Sequence, residues 1–159
     1  MKKSVAEFEV YTFHIDFSGH VSNVVYVQWM EVARLKLLEA AGASVREMAE
    51  RQGVIPVLTE TRIRYRRPLF FGDRIRVEAW VSELKPASAW VEYRFYRAGD
   101  EGEDGEDGDL VAAGRQKGVY LHRDTQRPYR LTREERALLE PYLAAAGEDD
   151  GAWGGGDAP

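Results

Sequence analysis

The chain has 159 residues, no cysteine and a formal net charge of −5. This length suits a single domain, and the lack of cysteine excludes disulfides, thiolate zinc sites and cysteine nucleophiles. No run approaches the roughly 18 apolar residues that a membrane span needs. Lys2 and Lys3 resemble the start of a signal peptide, but Glu7 and Glu9 interrupt the apolar stretch that would have to follow. We therefore expect a soluble, cytoplasmic protein that does not act at a membrane.

The negative charge is concentrated in two segments. Residues 100–109 hold seven acids and residues 147–159 hold four, with no base in either. Without these 11 acids, the remaining 16 face 22 Lys and Arg. Like-charged, glycine-rich runs cannot form a core. We predict one domain over residues 1–146, with a flexible or disordered acidic loop at 98–109 and a disordered tail at 147–159. The basic excess would suit a polyanionic small molecule, a nucleic acid or a solvated surface without a partner.

The first part of the chain predicts a strand followed by a long helix. Residues 5–16 alternate loosely and are rich in Val, Phe and Tyr, which is typical of a strand. After a turn, Ser22 or Asn23 can cap a helix over residues 24–41, which contains no Pro or Gly. Its apolar arc is so wide that we expect the helix to be buried on most sides. Because one curved sheet cannot provide that cover, we expect a homo-oligomer, either a dimer or a tetramer.

The remainder of the chain predicts a sheet. A short helix capped by Ser44 ends near Gly53, and another begins at Thr132. Between them, polar and apolar residues alternate in four segments, which indicates antiparallel strands with one buried face. Strands and helices segregated in this way are typical of an α+β domain. The four predicted strands cover residues 54–66, 74–84, 88–97 and 110–122.

One short segment has the residues for acyl-transfer chemistry. Asp16 ends the first predicted strand, a turn containing Gly19 follows, and a helix begins about seven residues after the carboxylate. Free N–H groups at a helix N-terminus carry partial positive charge and can hold a developing oxyanion. The carboxylate can act as a nucleophile or activate a water. The alternative is an aspartate that only shapes the turn or caps the helix.

Two motifs resemble those of the 4-hydroxybenzoyl-CoA thioesterase-like branch of the hotdog superfamily. One is a D-x-x-G-x-V-x-x-x-x-Y pattern that starts at Asp16 and is followed by an E-x-x-R helix at residues 31–34. The other is Y-x-x-P-x-x-x-G-D at residues 65–73. The likeness covers about residues 6–143 and departs at Ser22, where relatives commonly have Asn. It implies a hotdog fold, in which a five-stranded antiparallel sheet wraps a long central helix. It also implies hydrolysis of an acyl-CoA to free acid and CoA, with no cofactor or metal.

The resemblance assigns roles to individual residues. Asp16 falls at the position of the catalytic nucleophile or general base, and the N–H near Asn23 falls where the helix N-terminus polarises the thioester carbonyl. Some relatives carry Tyr or His at the position of Asn23, so this residue orients water, binds substrate or only caps the helix. Another branch of the superfamily uses a helix glutamate, which makes Glu31 a second catalytic candidate. The alternative for Glu31 is a structural ion pair with Arg34.

Five residues are expected to bind the substrate: Gly19, His20, Tyr26, Arg62 and Arg64. His20 lies in the turn and either orients the substrate or the carboxylate, or makes a hydrogen bond that shapes the loop. Arg62 and Arg64 share a strand face that would meet the phosphates of CoA. A solvent-exposed sheet face is the alternative for these arginines.

Other polar and aromatic residues are less informative. His14 shares the predicted strand face of Asp16 and is a further candidate for contacting the site, whereas His122 is expected at the surface. Three scattered histidines do not make a metal cluster. Trp80 and Trp90 are expected to pack in the core or an interface, and Asp73 to close a turn.

Three alternative functions were weighed. An acyl-carrier-protein thioesterase would need a positive surface for an acidic carrier, which the basic remainder of the chain provides. A non-catalytic hotdog module for acyl binding or assembly would not need Asp16 beside a helix end. A nucleic-acid binder would need a recognised motif, which the sequence lacks.

Overall fold

The computed structural model describes residues 1–99, 108–145 and 152–153. The predicted acidic loop at 98–109 lies outside the described residues from 100 to 107. The predicted tail at 147–159 lies outside them except for Ala152 and Trp153.

Five antiparallel strands form one sheet: β1 (Ser4–Glu9), β2 (Val54–Tyr65), β3 (Arg74–Leu84), β4 (Ser88–Arg97) and β5 (Asp109–His122). They are hydrogen-bonded in the order β1-β3-β4-β5-β2, so β1 and β2 lie at the two edges. The central strands are rich in β-branched and aromatic residues, which pack well on a pleated surface.

Three helices accompany the sheet: α1 (Asn23–Ala40), α2 (Val45–Gln52) and α3 (Arg133–Leu139). The 18-residue α1 packs on one face of the sheet, here called the inner face, and buries Tyr26, Met30 and Leu37. The Met30 side chain of α1 reaches Gly114 of β5, where a Cβ atom would lie 2.8 Å from Met30 Cε. A glycine at this point therefore lets the helix lie close to the strand.

Hydrophobic alternation located the strands well. β3 and β4 match the predicted residues 74–84 and 88–97, and β2 and β5 each differ from prediction by one residue at one end. The antiparallel register confirms the α+β class, because each strand pair runs in opposite directions.

The predicted caps of the two short helices are also confirmed. Ser44 Oγ accepts a hydrogen bond from the Glu47 N–H at the start of α2, and Gly53 ends that helix with a φ of 63°. Thr132 Oγ1 accepts from the Glu135 N–H at the start of α3. Each contact satisfies an N–H that has no partner within its helix.

The prediction of a strand over residues 5–16 is wrong beyond Glu9. Thr12–His14 is a turn of 3-10 helix, because the Tyr11 N–H donates to His14 Nδ1 (2.9 Å) and the His14 N–H donates to the Tyr11 carbonyl (3.1 Å). Asp16 therefore follows a tight turn rather than a strand. Side-chain hydrogen bonds to nearby backbone compete with strand formation in this way.

The prediction that α1 is buried on most sides, with a second copy supplying part of the cover, is not tested by a single chain, in which one side of the helix is open. Val24, Val27 and Leu35 are exposed on the side that faces away from the sheet. Together with Gln28 and Glu31 they form a line along the helix, here called the outward stripe. The sheet covers only the opposite side of α1, so the stripe is open in a single chain.

The prediction that only one sheet face is buried is wrong at the centre of the sheet. Glu92 and Arg94 of β4 lie on the outer face, away from α1, yet they are only 0 % and 1 % exposed. The Arg94 guanidinium lies 4.8 Å from the ring centroid of Trp80 and 5.8 Å from that of Trp153. Aromatic rings and paired charges cover this region, which the alternation of polar and apolar residues does not predict.

A buried polar network holds α1 to the sheet. The Gln116 side chain, 1 % exposed, accepts hydrogen bonds from Arg34 Nη1 (2.7 Å) and Tyr93 Oη (3.0 Å) and donates to Thr61 Oγ1 (3.2 Å). These bonds connect α1, β2, β4 and β5. A buried donor that loses its acceptor keeps the cost of leaving water, so the network depends on Gln116.

Replacement of Gln116 by Leu should lower the free energy of unfolding by about 2–4 kcal/mol, because a buried cation and a buried hydroxyl each lose their acceptor. Chemical denaturation monitored by circular dichroism measures this change. The control is Gln52→Leu, which removes a surface amide bonded to Glu135 and should cost less than about 1 kcal/mol. Equal effects of the two substitutions would contradict an anchoring role for Gln116.

Candidate active site

Residues 14–22 form a narrow hairpin that leads into α1. Ile15 and Val21 pair as an antiparallel bridge, the Ser22 N–H donates to the His14 carbonyl (2.9 Å), and the Asp16 N–H donates to the His20 carbonyl (3.1 Å). The tip turns at Gly19, whose φ of 85° is one that side-chain-bearing residues rarely adopt. The hairpin thus presents Asp16, Gly19 and His20 together at its tip.

Asp16 holds one carboxylate oxygen in a local turn and leaves the other without a hydrogen bond among the described residues. Oδ1 accepts from the Ser18 N–H (2.9 Å) and from the Ser18 hydroxyl. These two bonds, aided by the nearby His20, hold the pKa of Asp16 below its usual range. The carboxylate is therefore ionised at neutral pH, with Oδ2 available to a water or a substrate.

The two histidines of the hairpin have different surroundings. His20 Nδ1 lies 3.4 Å from the Val21 carbonyl, and its ring meets Phe70 edge-on with 6.4 Å between centroids. His14 accepts the Tyr11 N–H at Nδ1 and packs against Trp29 (5.6 Å between centroids). Burial lowers the pKa of His14, and the accepted bond requires an unprotonated Nδ1, so His14 is neutral at pH 7.

The N-terminus of α1 offers N–H groups at its first turn. The Ser22 side chain makes no capping hydrogen bond, and within the described chain the Asn23 and Val24 N–H groups have no backbone acceptor. Such groups carry the partial positive charge of a helix N-terminus. His20 pairs with Asp16 across the hairpin, and the three residue steps from His20 to Asn23 span at most about 10 Å.

Tyr65 fixes the start of α1 from the end of β2. Its hydroxyl donates to the Asn23 carbonyl (2.9 Å), and its ring meets Tyr26 edge-on at 5.0 Å between centroids. We did not identify Tyr65 as a site residue from the sequence, although it begins the second family-like motif. The feature that could have identified Tyr65 is its position at the end of β2, the strand that reaches the N-terminus of α1.

The loop between β2 and β3 borders the hairpin. The Val21 N–H donates to the Leu69 carbonyl (2.9 Å), which ties this loop to the hairpin. The prediction that Asp73 closes a turn is confirmed, because Asp73 Oδ2 accepts from the Phe70 N–H (2.8 Å) and the Asp73 N–H donates to the Phe70 carbonyl (3.0 Å). The loop and residues 11–17 expose five aromatic side chains, here called the aromatic rim: Tyr11, Phe13, Phe17, Phe70 and Phe71.

Tyr26, a predicted substrate contact, lies in the core beneath the helix N-terminus. Its side chain is 2 % exposed and contacts the rings of Trp29, Tyr65 and Phe95. Burial raises the pKa of Tyr26 to about 12, so its hydroxyl stays protonated. Tyr26 can form a wall beneath a bound group but packs primarily as a core residue.

Arg62 and Arg64, predicted to bind CoA, have partners on the outer sheet face. The Arg62 guanidinium lies 4.8 Å from the ring centroid of Trp153, and Arg64 Nη1 donates to the Trp153 carbonyl (2.9 Å). Both arginines therefore contact Trp153 in this structure, and their predicted binding of the CoA phosphates stays a prediction. Sequence periodicity placed both arginines on one face but does not reveal a contact with a residue almost ninety positions later.

Glu31 and Arg34 are adjacent on α1. Glu31 Oε1 lies 3.9 Å from Arg34 Nη2, and the Glu31 side chain is largely exposed. The ion pair that was the alternative interpretation of Glu31 is thus present, although Arg34 makes its shorter bond to Gln116. Exposed pairs of this kind contribute little to stability.

Two general features bear on cofactors and membranes. The described residues contain no group of three or more His, Asp or Glu side chains arranged to hold a metal ion. In the same residues, no helix is both long and apolar enough to cross a membrane.

Comparison with known proteins agrees with this geometry. Residues 10–146 match the sequence model of the thioesterase-like superfamily. The chain is 30% identical over 101 residues to the putative acyl-CoA thioesterase YneP of Bacillus subtilis, covering 64% of this chain and 72% of that protein. It is 28% identical over 138 residues to the chloroplastic acyl-acyl carrier protein thioesterase ATL3 of Arabidopsis thaliana, covering 86% and 67% respectively.

Comparison with solved structures also finds thioesterases. The structure of a DHNA-CoA thioesterase from Staphylococcus aureus superposes with a TM-score of 0.76 at 26% identity, covering 89% of this chain and 93% of that one. The five-stranded antiparallel sheet and its packed helix correspond to the hotdog architecture of these enzymes. The chain belongs to the thioesterase-like superfamily of hotdog-fold thioester hydrolases.

Proposed function

We propose that this protein hydrolyses an acyl-CoA to a free acid and CoA at the tip of the 14–22 hairpin. The observation that carries the proposal is an ionised carboxylate, Asp16, close in the chain to a helix N-terminus whose first N–H groups have no backbone acceptor among the described residues. These are the two components that hydrolysis of a thioester requires: a group that activates water and donors that stabilise an oxyanion. The names of the relatives in Bacillus subtilis and Staphylococcus aureus support a CoA thioester as substrate.

In the proposed mechanism, Asp16 acts as a general base. The thioester oxygen accepts hydrogen bonds from the N–H groups of Asn23 and Val24, and a water bridges the carbonyl carbon and Asp16 Oδ2. The water oxygen attacks the carbonyl carbon while its proton passes to Oδ2. The C–S bond then breaks, and the leaving thiolate takes up the proton.

The surroundings of Asp16 supply substrate contacts. Gly19 and His20 lie at the same hairpin tip, and His20 packs against Phe70 of the aromatic rim. Exposed aromatic rings beside a reactive carboxylate can bury the apolar part of an acyl group. Tyr26 forms the wall beneath the first turn of α1. The absence of cysteine fits a reducing compartment, in agreement with a cytoplasmic enzyme.

An acyl-carrier-protein thioester is the second candidate substrate. The relative from Arabidopsis thaliana is named an acyl-acyl carrier protein thioesterase. Outside its two acidic segments the chain has an excess of Lys and Arg, which would attract an acidic carrier. Presenting the same acyl group on CoA and on a carrier protein, and comparing kcat/KM, separates the two substrates.

Replacement of Asp16 by Asn should lower kcat by about 100-fold or more with the fold intact, because an amide cannot accept the proton from water. The measurement is thiol release from a panel of aliphatic and aromatic acyl-CoAs. Asp124→Asn, a nearly isosteric change at an exposed aspartate, is the control and should retain wild-type turnover. Near-normal turnover by the Asp16 variant would remove this carboxylate from the chemistry.

A single turnover in 18O-labelled water tests whether water attacks an acyl intermediate at the carboxyl carbon of Asp16. As a general base, Asp16 remains unlabelled and the label appears in the product acid. Label in the Asp16 carboxylate after the first turnover would instead establish nucleophilic attack and replace the water mechanism.

Replacement of Ser18 by Ala should move the acid limb of the kcat/KM profile to higher pH. The Ser18 hydrogen bonds stabilise the ionised form of Asp16 and lower its pKa, so losing the hydroxyl bond raises that pKa. Activity requires ionised Asp16 and is lost as pH falls through its pKa, so the variant loses activity at a higher pH. Ser22→Ala, which removes a hydroxyl of the same hairpin that makes no capping bond, is the control. Unshifted acid limbs in both variants would contradict the proposal.

We also propose that the enzyme is a homo-oligomer in which the outward stripe of α1 packs against a second copy, with the acyl pocket between them. Three exposed apolar residues on one helix side, Val24, Val27 and Leu35, support this. Leu35→Asp should therefore shift the sedimentation coefficient to that of a monomer and abolish most thiol release. Leu138→Asp, at an exposed leucine of α3, is the control. A monomeric wild-type protein would exclude the proposal.

A further inference from the structure

The outer sheet face carries an ordered array of charged and aromatic side chains. Trp80, Glu92, Arg115 and Arg62 are successive neighbours across β3, β4, β5 and β2 in the strand register. Arg64 lies on the same face, two residues along β2 from Arg62. Adjacent strands bring such neighbours within contact distance, so the array is set by the sheet itself.

A buried carboxylate lies at the centre of this array. Glu92 is 3.3 Å from Arg94 and 3.4 Å from Arg115, and its Oε1 accepts from Ser82 Oγ (3.1 Å). Buried charges need such partners, because transfer from water to the interior is costly. The partners hold Glu92 in place and leave Oε2 able to accept a further hydrogen bond. The sheet thus provides a preformed hydrogen-bond acceptor between the guanidinium groups of Arg94 and Arg115.

Ala152 and Trp153 lie on this array. The Trp153 indole Nε1 donates to Glu92 Oε2 (3.4 Å), its carbonyl accepts from Arg64 Nη1 (2.9 Å), and its ring lies 4.8 Å from the Arg62 guanidinium. Ala152 is fully buried. One residue is therefore recognised through its indole N–H, its aromatic face and its main-chain carbonyl, which together are specific to a tryptophan in a peptide.

We propose that the outer sheet face is a peptide-binding site for a tryptophan-bearing segment, and that Ala152–Trp153 of the same chain is its occupant. The four acids among residues 147–159 flank this tryptophan in sequence and complement the arginines of the face. The mechanism proposed for Asp16 and the first turn of α1 uses no residue of this face. The site binds its own segment in cis and is thereby closed to other partners.

The length of the intervening chain agrees with occupation in cis. The Ala144 N–H donates to the Val81 carbonyl of β3 (2.9 Å), which fixes the chain eight residues before Ala152. Eight residues span up to about 27 Å, whereas β3 and β2 are three strand spacings, about 14 Å, apart. A short tether of this kind gives an effective concentration of about 1 mM, so even modest affinity keeps the site filled.

The test is binding of a fluorescein-labelled peptide with the sequence of residues 146–159, measured by fluorescence anisotropy. The full-length Trp153→Ala protein, whose own anchor is removed, should bind this peptide. The wild-type protein, with its site filled in cis, should bind it at least about 10-fold more weakly. Equal binding by the two proteins, or binding by neither, would overturn the proposal.

Two controls separate recognition of tryptophan from attraction of charge. A peptide with Trp153→Ala keeps all its acids and should lose at least about 10-fold in affinity. In the Trp153→Ala protein, Arg62→Gln should weaken peptide binding several-fold, whereas Arg46→Gln, at an exposed arginine of α2, should leave it unchanged. Equal affinity for the two peptides would show attraction by charge alone and reject the site. These measurements do not depend on hydrolysis.

Discussion

The contact between α1 and the inner sheet face determines where everything else in this molecule lies. Gly114 lets Met30 approach β5, and Gln116 of β5 ties Arg34 of the helix to Tyr93 of β4 and Thr61 of β2. A packed core leaves few alternative positions for a helix held in this way. The first turn of α1 is consequently fixed at the mouth of the 14–22 hairpin, with Tyr65 bonded to its first carbonyl. The proposed oxyanion donors are therefore positioned by the core of the fold.

The proposed catalytic carboxylate is positioned by a different principle. Asp16 is held by a local turn, in which Ser18 binds one oxygen and the positive φ of Gly19 reverses the chain. Local hydrogen bonding of this kind needs no long-range contact, which explains why a short motif specifies it. The site thus combines a helix N-terminus that is positioned by tertiary packing with a carboxylate that is positioned by hydrogen bonds to residues next to it in the chain.

The sequence was sufficient for most of the fold and for the tip of the hairpin. Strict alternation in residues 74–84 and 88–97 located β3 and β4, and cap residues such as Ser44 and Gly53 located α2. Asp16, Gly19 and His20 were predicted to lie together because all three belong to one five-residue turn. Periodicity failed at residues 10–16, because the hydrogen bond from the Tyr11 N–H to His14 replaces strand geometry with a 3-10 turn.

The features that the sequence did not predict arise from contacts between distant residues. Glu92 and Arg94 alternate like solvent-exposed residues, but Trp80 and Trp153 cover them. The sequence pattern shows that Arg62 and Arg64 share one sheet face, which led to their assignment to the phosphates of CoA. The pattern does not show that Trp153 also lies on that face. Tyr65 was part of a family-like motif, but its bond to Asn23 becomes evident only when β2 and α1 are placed side by side.

The nature of the Gln116 network has a consequence for the behaviour of the enzyme in acid. Its acceptor is an uncharged amide and its donors are a guanidinium and a phenol, and none of these changes protonation between mildly acidic and neutral pH. The attachment of α1 is therefore insensitive to acidification over the range in which carboxylates begin to titrate. The protein can lose the ionised form of its proposed base while the helix that carries the oxyanion donors stays docked. Inactivation through Asp16, at a pH below the usual range of an aspartate, would then be a reversible titration rather than the first stage of unfolding.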